Sequence, residues 1–410
     1  MTQLTRFRLC AMMFLQFFIW GGWFVTMGSY LASTLHANGA QSALAYSTQS
    51  WGAIIAPFIV GLIADRYFNA ERLLGAFHIA GAVLLYALST TRGFKGFYPC
   101  LLAYMILYMP TLALVNTISF RQMDEPAKHF SSVRVWGTIG WIVAGLVISY
   151  LFAWDSRTGM AQGLLGNTFL MCSIASFALG IYSFTLPRTP PLPKPEQQAR
   201  LRDFLGLDAL GLLRHKNFVV FFVSSILICI PLAFYYQNAN QFLTESQVAN
   251  ATGKQTIGQM SEVVFMFLIP VFLKTFGMKT TLLLGMLAWV CRYLLFAFGN
   301  AHELGFMLLM GIALHGACYD FFFVSGQIYT DSKAGAQHKA AAQGLITLAT
   351  YGVGMLVGFW AAGLTDDLYS VGGAHDWRSI WLYPAAFAAV VFVLFASTFR
   401  NETVAYANPH

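Results

Sequence analysis

Long apolar stretches, separated by short polar segments, dominate the hydropathy pattern of this chain. A helix needs about 20 apolar residues to cross roughly 30 Å of hydrocarbon, and stretches of that length recur along the sequence. The pattern predicts an all-α membrane protein with twelve transmembrane helices. The expected spans are about residues 7–33, 42–64, 71–92, 97–121, 131–154, 163–187, 217–244, 253–275, 280–299, 303–330, 338–365 and 379–399.

The polar interruptions indicate how these spans are grouped. The longest one runs from Pro187 to Lys216, is rich in proline and then basic, and is typical of a linker. It separates six spans from six. We therefore expect an N-terminal six-helix bundle over residues 1–187, a cytoplasmic linker over 188–216 and a C-terminal six-helix bundle over 217–410.

The composition agrees with a protein that crosses the membrane many times. Of its 410 residues, 57% are hydrophobic and 10% are charged, whereas soluble domains carry roughly 25% charged residues. The formal net charge of +7 does not indicate nucleic-acid binding, because the basic residues are spread over short loops. The six cysteines are scattered without CxxC spacing, so we expect no metal site and no cofactor.

The distribution of basic residues predicts the orientation of the chain, because cytoplasmic segments of membrane proteins carry an excess of Lys and Arg. With the N-terminus inside, eighteen of the 24 Lys and Arg residues fall in cytoplasmic segments and five in outside segments. The remaining one, Arg292, lies within a predicted span. We therefore expect both termini to be cytoplasmic.

Two carboxylates, Glu262 and Asp320, are the first candidates for chemistry. Each is the only Asp, Glu, Lys or Arg in its apolar stretch, in predicted spans eight and ten respectively. A carboxylate is costly to bury in lipid, so such residues tend to carry protons or bind a polar solute. The pair is typical of a proton-coupled transporter.

Other polar residues within the spans fall into groups. Gln255, Gln259 and Glu262 have the i, i+4, i+7 spacing that places residues on one helical face. In span seven, Tyr236 and Gln237 belong to a cluster of rings and amides that suits a flat, hydroxylated ligand, or equally an interfacial aromatic belt.

His315 and Arg292 are the remaining ionisable residues that we considered inside these spans. A lone histidine near a packing face is more often structural, and we interpret His315 in that way. Arg292 is expected to pair with one of the acids or to extend its side chain towards the membrane surface. There is no GxSxG, HExxH or Walker motif, so we do not expect an enzyme.

Several motifs together resemble those of the nucleoside–proton symporter family of the major facilitator superfamily. They are FLQFFIWGGWFVTMGSY in span one, YMPTLALVNTISF in span four, RVWGTIGW in span five, GQMSE in span eight and ACYDFFFVSG in span ten. The resemblance covers nearly the full chain. The stretch IPLAFYYQNANQFLTE is most similar to a bacterial subgroup of candidate nucleoside transporters.

This resemblance implies an importer of nucleosides and protons across the bacterial cytoplasmic (inner) membrane, with two bundles that rock about a central site. We expect the protein to be a monomer. The loop GLIADRYFNAERLL resembles the superfamily signature between spans two and three, which implies a cytoplasmic gate at Asp65 and Arg66. The expected substrate contacts, including those from the span-seven cluster, are Arg134, Thr138, Trp141, Tyr236, Gln237, Gln259, Glu262, Tyr319 and Asp320.

Some alternatives stay open at this level. Either Glu262 or Asp320 is expected to take the proton. The solute could instead be another small polyhydroxylated molecule such as a sugar. A solute sensor that does not transport, or an exporter of amphipathic compounds, are further options.

Overall fold

The computed structural model describes residues 2–59, 68–191, 207–372 and 374–402, and nearly all of them are helical. Apolar segments fold as helices in lipid because a helix satisfies its backbone hydrogen bonds internally. The α-helices are α1 (Gln3–Phe24), α2 (Met27–Ser33), α3 (Gly39–Ile59), α4 (Ala70–Thr90), α5 (Phe94–Arg121), α6 (Pro126–Leu146), α7 (Arg157–Ala161), α8 (Asn167–Ser183), α9 (Lys216–Glu245), α10 (Ala251–Phe298), α11 (Gly305–Ala313), α12 (His315–Tyr319), α13 (Ser325–Thr347), α14 (Met355–Leu368) and α15 (Trp377–Thr398).

Shorter elements interrupt or connect these helices. Two 3-10 helices cover Leu164–Gly166 and Leu207–Arg214. π-Helical turns extend or join helices at Val147–Leu151, Asp320–Val324 and Leu348–Gly354, and a short antiparallel hairpin pairs β1 (Ser370–Val371) with β2 (Ala374–His375).

Within the described ranges, ten helical segments are long and apolar enough to cross a membrane. This confirms the predicted all-α fold with many apolar spans. The longest helix, α10, has 48 residues and is interrupted at Gly277, whose φ of 77° is disfavoured for residues with a side chain. The predicted gate residues Asp65 and Arg66 lie outside the described residues, as does the 192–206 part of the predicted linker.

The chain forms two compact units. The first consists of Met1–Ala199 with Gln237–Thr256, and the second of Arg200–Tyr236 with Ile257–His410. In the first unit, α1 packs on α6 and α4 packs on α8.

A buried polar network ties four helices of the first unit together. The Gln16 amide donates to the Thr111 hydroxyl at 2.7 Å, and its oxygen lies 2.8 Å from Nε2 of His78. Nδ1 of His78 lies 3.0 Å from the Ser176 hydroxyl. Because each buried polar side chain has a partner here, we interpret this network as structural.

Candidate functional site

A chain of three ionisable side chains, Arg292, His315 and Glu262, lies in the second unit. Nη1 of Arg292 is 2.7 Å from Nδ1 of His315, and Nε2 of His315 is 2.8 Å from Oε1 of Glu262. Arg292 is fully buried and His315 is 1% exposed, while the Glu262 side chain is 21% exposed. The histidine therefore connects a buried cation to a carboxylate that solvent or a solute can reach.

Close packing of two backbones brings His315 to Glu262. A Cβ atom at Gly316 would lie 2.5 Å from the carbonyl carbon of Ser261 and 2.6 Å from the amide nitrogen of Glu262. The Gly316 amide also donates to the Ser261 hydroxyl at 3.0 Å. On the facing helix, a Cβ atom at Gly258 would lie 3.1 Å from Cβ of His315. Glycine at these positions permits the approach.

Arg292 is held by aromatic rings rather than by a direct ion pair. Its guanidinium carbon lies 3.4 Å from the centroid of the Tyr235 ring, and the Trp289 ring is 5.5 Å away. Among the described residues, no carboxylate forms an ion pair with Arg292, in contrast to the direct pair considered from the sequence. His315, interpreted from the sequence as structural, thus joins Arg292 and Glu262 in one hydrogen-bonded chain.

Asp320 differs from Glu262 in both exposure and partners. It is 1% exposed, and within the described part of the chain its Oδ2 has no hydrogen-bond partner. It lies near enough to Glu262 for the two negative charges to repel each other. Asp320 also begins the π-helical turn Asp320–Val324, and such turns are frequent at functional sites.

Tyrosine side chains form a second group in this unit. The hydroxyls of Tyr319 and Tyr351 are 2.7 Å apart, and the Tyr319 ring centroid lies 6.1 Å from that of His315. The Tyr236 ring packs 5.8 Å from Tyr235. Tyr319, Tyr351 and Tyr236 are all half-buried. Tyr351 is not among the predicted site residues. It lies in the π-helical turn Leu348–Gly354, and the apolar sequence around it does not indicate such a turn.

The amides predicted around span seven and span eight have different surroundings. Asn240 donates to Oε1 of Gln255 at 2.6 Å and accepts from the Ser29 hydroxyl at 2.6 Å, all within the first unit. Gln237 is buried in the same unit. Gln259 is half-buried in the second unit and makes no side-chain hydrogen bond to a described residue. Gln255 therefore belongs to a packing network, whereas the Gln259 amide has no such partner among the described side chains.

In the first unit, the predicted contacts Arg134, Thr138 and Trp141 follow one face of α6 at i, i+4 and i+7. The Arg134 guanidinium lies 4.0 Å from the Phe17 ring centroid, and Trp141 makes an edge-to-face contact with Trp20 at 5.6 Å. All three predicted residues are half-buried. The structure therefore places Arg134 and Trp141 beside aromatic residues of α1.

Within the described ranges, no group of three or more His, Cys, Asp or Glu side chains is arranged so that it could hold a metal ion.

Comparisons with known proteins agree with these features. The family model described as Nucleoside H+ symporter matches residues 3–404. YegT of Escherichia coli (strain K12), described as a candidate nucleoside transporter, is 42% identical over 97% of this chain and 94% of its own. A xanthosine permease from the same organism is 36% identical over 96% of this chain and 95% of its own.

Solved structures are similar as well. Two crystal structures of nucleoside transporter NupG, one of them a mutant, match with TM-scores of 0.88 and 0.86 at 30% and 29% identity, and the matches cover at least 97% of this chain and 100% of each NupG chain. The POT family transporter PepTSo matches with a TM-score of 0.74 at 14% identity, over 97% of this chain and 98% of its own, which shows a shared fold alone. The chain is a multi-pass membrane protein that belongs to the nucleoside H+ symporter family.

Proposed function

We propose that the protein is a secondary active transporter that imports nucleosides together with protons by alternating access. Its family supports this, as do the names of relatives such as xanthosine permease and nucleoside permease NupG. We place it in the bacterial cytoplasmic (inner) membrane as a monomer with both termini cytoplasmic.

We also propose twelve transmembrane helices in two six-helix bundles, joined by the 188–216 linker. The 48 residues of α10 are about twice the number that one crossing needs, and Gly277 divides them into two span-length parts. The 21-residue apolar helix α3 is long enough for a further crossing. Together with the other apolar segments, these features support a count of twelve.

A nucleoside presents a flat base and several hydroxyls, and the second unit offers groups for both. We propose that the half-buried rings of Tyr236 and Tyr319 stack on the base. The Gln259 amide, which has no partner among the described side chains, would then bind the ribose hydroxyls or the base edge. The family resemblance supports, as further contacts, Arg134, Thr138, Trp141, Glu262 and Asp320, and the span-seven cluster adds Gln237.

The buried charges suggest different roles for the two carboxylates. A buried cation needs a nearby anion, and Arg292 reaches Glu262 through His315. Asp320 has no cationic partner among the described residues, and burial penalises the charged form of such a carboxylate. We therefore propose that Asp320 takes up and releases the proton while Glu262 stays ionised. The unpartnered oxygen of Asp320 is the observation that carries this assignment.

This arrangement explains how proton and solute movement would be coupled. A carrier with nucleoside bound and Asp320 ionised would hold an uncompensated anion in a closed, desolvated site, which costs several kcal/mol and opposes reorientation. Protonation of Asp320 from the outside removes that cost, so the loaded carrier moves inward together with its proton. After nucleoside and proton are released inside, water can hydrate the ionised Asp320 in the empty site, so the empty carrier can return and net uptake follows the proton gradient.

The test compares two neutral isosteres in proteoliposomes. Asp320→Asn resembles the protonated acid, so it should retain nucleoside counterflow, which needs no proton gradient, and lose accumulation driven by a pH gradient. Glu262→Gln removes the anion that compensates Arg292, so it should weaken both counterflow and accumulation. Full pH-driven accumulation by Asp320→Asn would refute the proton role of Asp320.

The same proteoliposomes test which class of solute is transported. Labelled uridine uptake should be inhibited by unlabelled uridine, inosine or xanthosine and not by sugars. Inhibition by sugars alone would show that the cargo is a different polyhydroxylated solute. Ligand binding without counterflow would show that the protein senses its ligand without transporting it.

A further inference from the structure

We propose that His315 is a positioning residue that is held by Arg292 as the neutral Nε2–H tautomer and that fixes Glu262 as an anion. This inference rests on the proposed proton symport and adds two residues to its machinery. The sequence motifs implied a role for Glu262 but none for either partner.

The tautomer follows from the chemistry of the two neighbours. A guanidinium can only donate hydrogen bonds, so Nδ1 of His315, 2.7 Å from Nη1 of Arg292, must be the acceptor. The single ring proton therefore lies on Nε2, which faces Oε1 of Glu262 at 2.8 Å. A second proton on Nδ1 would point at a donor and place two positive charges side by side. In this arrangement His315 accepts a hydrogen bond from Arg292 and donates one to Glu262, and it does not itself carry the transported proton.

The surroundings oppose any other arrangement of the ring. Gly258 and Gly316 allow the backbones on both sides to approach closely, since a Cβ atom added at either position would meet the facing helix within 3.1 Å. The Tyr235 ring stacks on the imidazole with centroids 5.1 Å apart and also lies under the Arg292 guanidinium. The titratable or charged groups that contact His315 are Tyr235 on α9, Glu262 and Arg292 on α10, and Tyr319 on its own helix α12.

This role of His315 gives the two carboxylates, Glu262 and Asp320, different protonation behaviour. With the neutral His315 in place, Arg292 and Glu262 balance each other in charge, and Asp320 alone changes protonation during transport. Without His315, Glu262 loses its hydrogen-bond donor and its link to the cation. It then becomes a second group that can take up a proton, so the pH dependence of uptake should change.

Two substitutions at one position distinguish positioning from proton carriage. In His315→Gln, the amide oxygen can accept from Arg292 and the amide nitrogen can donate to Glu262, but the side chain cannot take up a proton. In His315→Phe, the flat ring can still stack on Tyr235 while both hydrogen bonds are lost.

Purified variants are reconstituted and assayed for uridine counterflow, for the initial rate of pH-driven uptake, and for the pH at which that rate is half-maximal. We expect His315→Gln to keep the rate within about threefold with the same pH midpoint. We expect His315→Phe to lower the rate at least about tenfold, as for loss of a hydrogen bond to a charged group, and to move the midpoint to higher pH.

The outcomes separate this inference from the proposed function. If the wild-type protein shows neither counterflow nor pH-driven uptake of any nucleoside, symport itself fails. If the wild type accumulates uridine but His315→Gln retains counterflow and loses accumulation, His315 carries a proton and the positioning role is refuted. An unchanged rate and midpoint in folded His315→Phe would also refute it. If His315→Phe does not fold, the result for His315→Gln still distinguishes a positioning role of His315 from proton carriage.

Discussion

The closest backbone contact at the site gives a quantitative prediction for Gly316→Ala. The added Cβ would lie 2.5 Å from the carbonyl carbon of Ser261, whereas ordinary van der Waals contact begins at 3.4 Å. The facing atoms belong to helix backbones and cannot rotate away, so the two segments must separate by about 0.9 Å. Overpacking of this kind costs roughly 1–3 kcal/mol.

The same displacement affects function. A separation of about 0.9 Å between these segments would lengthen the 2.8 Å contact between His315 and Glu262 beyond good hydrogen-bond geometry. We therefore expect Gly316→Ala to lower both the thermal unfolding midpoint of the purified protein and its pH-driven uridine uptake. The reduction in uptake should resemble that of His315→Phe.

The matched control is Gly344→Ala, in helix α13. A Cβ atom there meets nothing within 4 Å, so the substitution should stabilise the helix by up to about 1 kcal/mol and leave uptake unchanged. The two variants are compared by their thermal unfolding midpoints in the same detergent and by their uridine uptake rates in the same lipid mixture. Equal unfolding midpoints and equal uptake rates for both would refute the reasoning about close packing at Gly316.

Two further predictions concern groups outside this cluster. Asp155 accepts from the Ser149 hydroxyl at 2.5 Å and from the Thr252 amide at 3.0 Å, at the start of α10. Its replacement by Ala should lower stability by about 1 kcal/mol through loss of a helix cap, measured as a lower unfolding midpoint than for the wild type. Hydrogen bonds from the Ser379 hydroxyl and amide lower the pKa of Asp376 at the start of α15. Because the folded-state pKa is the lower one, this interaction stabilises the protein above the ordinary carboxyl pKa and is lost as the pH falls through the lowered value. Asp376→Asn should therefore flatten the acid side of a plot of unfolding midpoint against pH, and an unchanged slope would contradict this.

The apolar pattern was sufficient to predict the helical architecture, because span-length apolar segments have few alternatives in lipid. It also singled out Glu262 and Asp320, since an isolated carboxylate within a span is conspicuous. Their different environments could not be read from the pattern. Both are lone acids in the sequence, yet one is hydrogen-bonded to His315 and the other has an oxygen with no partner among the described residues.

The contact between Arg292 and His315 was not predicted because it joins residues 23 positions apart, on different helices. Helical periodicity relates residues on one helix and says nothing about which side chains meet across two. For the same reason, the pattern placed Gln255 on a face with Glu262, whereas Gln255 binds Asn240 in the other unit. Glycines within apolar segments, such as Gly316, are the feature of the sequence that indicates where two helices can approach closely.

In the proposed mechanism, each inward movement of a nucleoside brings a proton with it through Asp320. The most direct test adds uridine to weakly buffered proteoliposomes without an imposed gradient and records the external pH. Wild-type protein should make the medium more alkaline as uridine enters, and Asp320→Asn should exchange uridine without changing the pH. Uridine entry through the wild-type protein without alkalinisation, or the same alkalinisation with Asp320→Asn, would contradict the account.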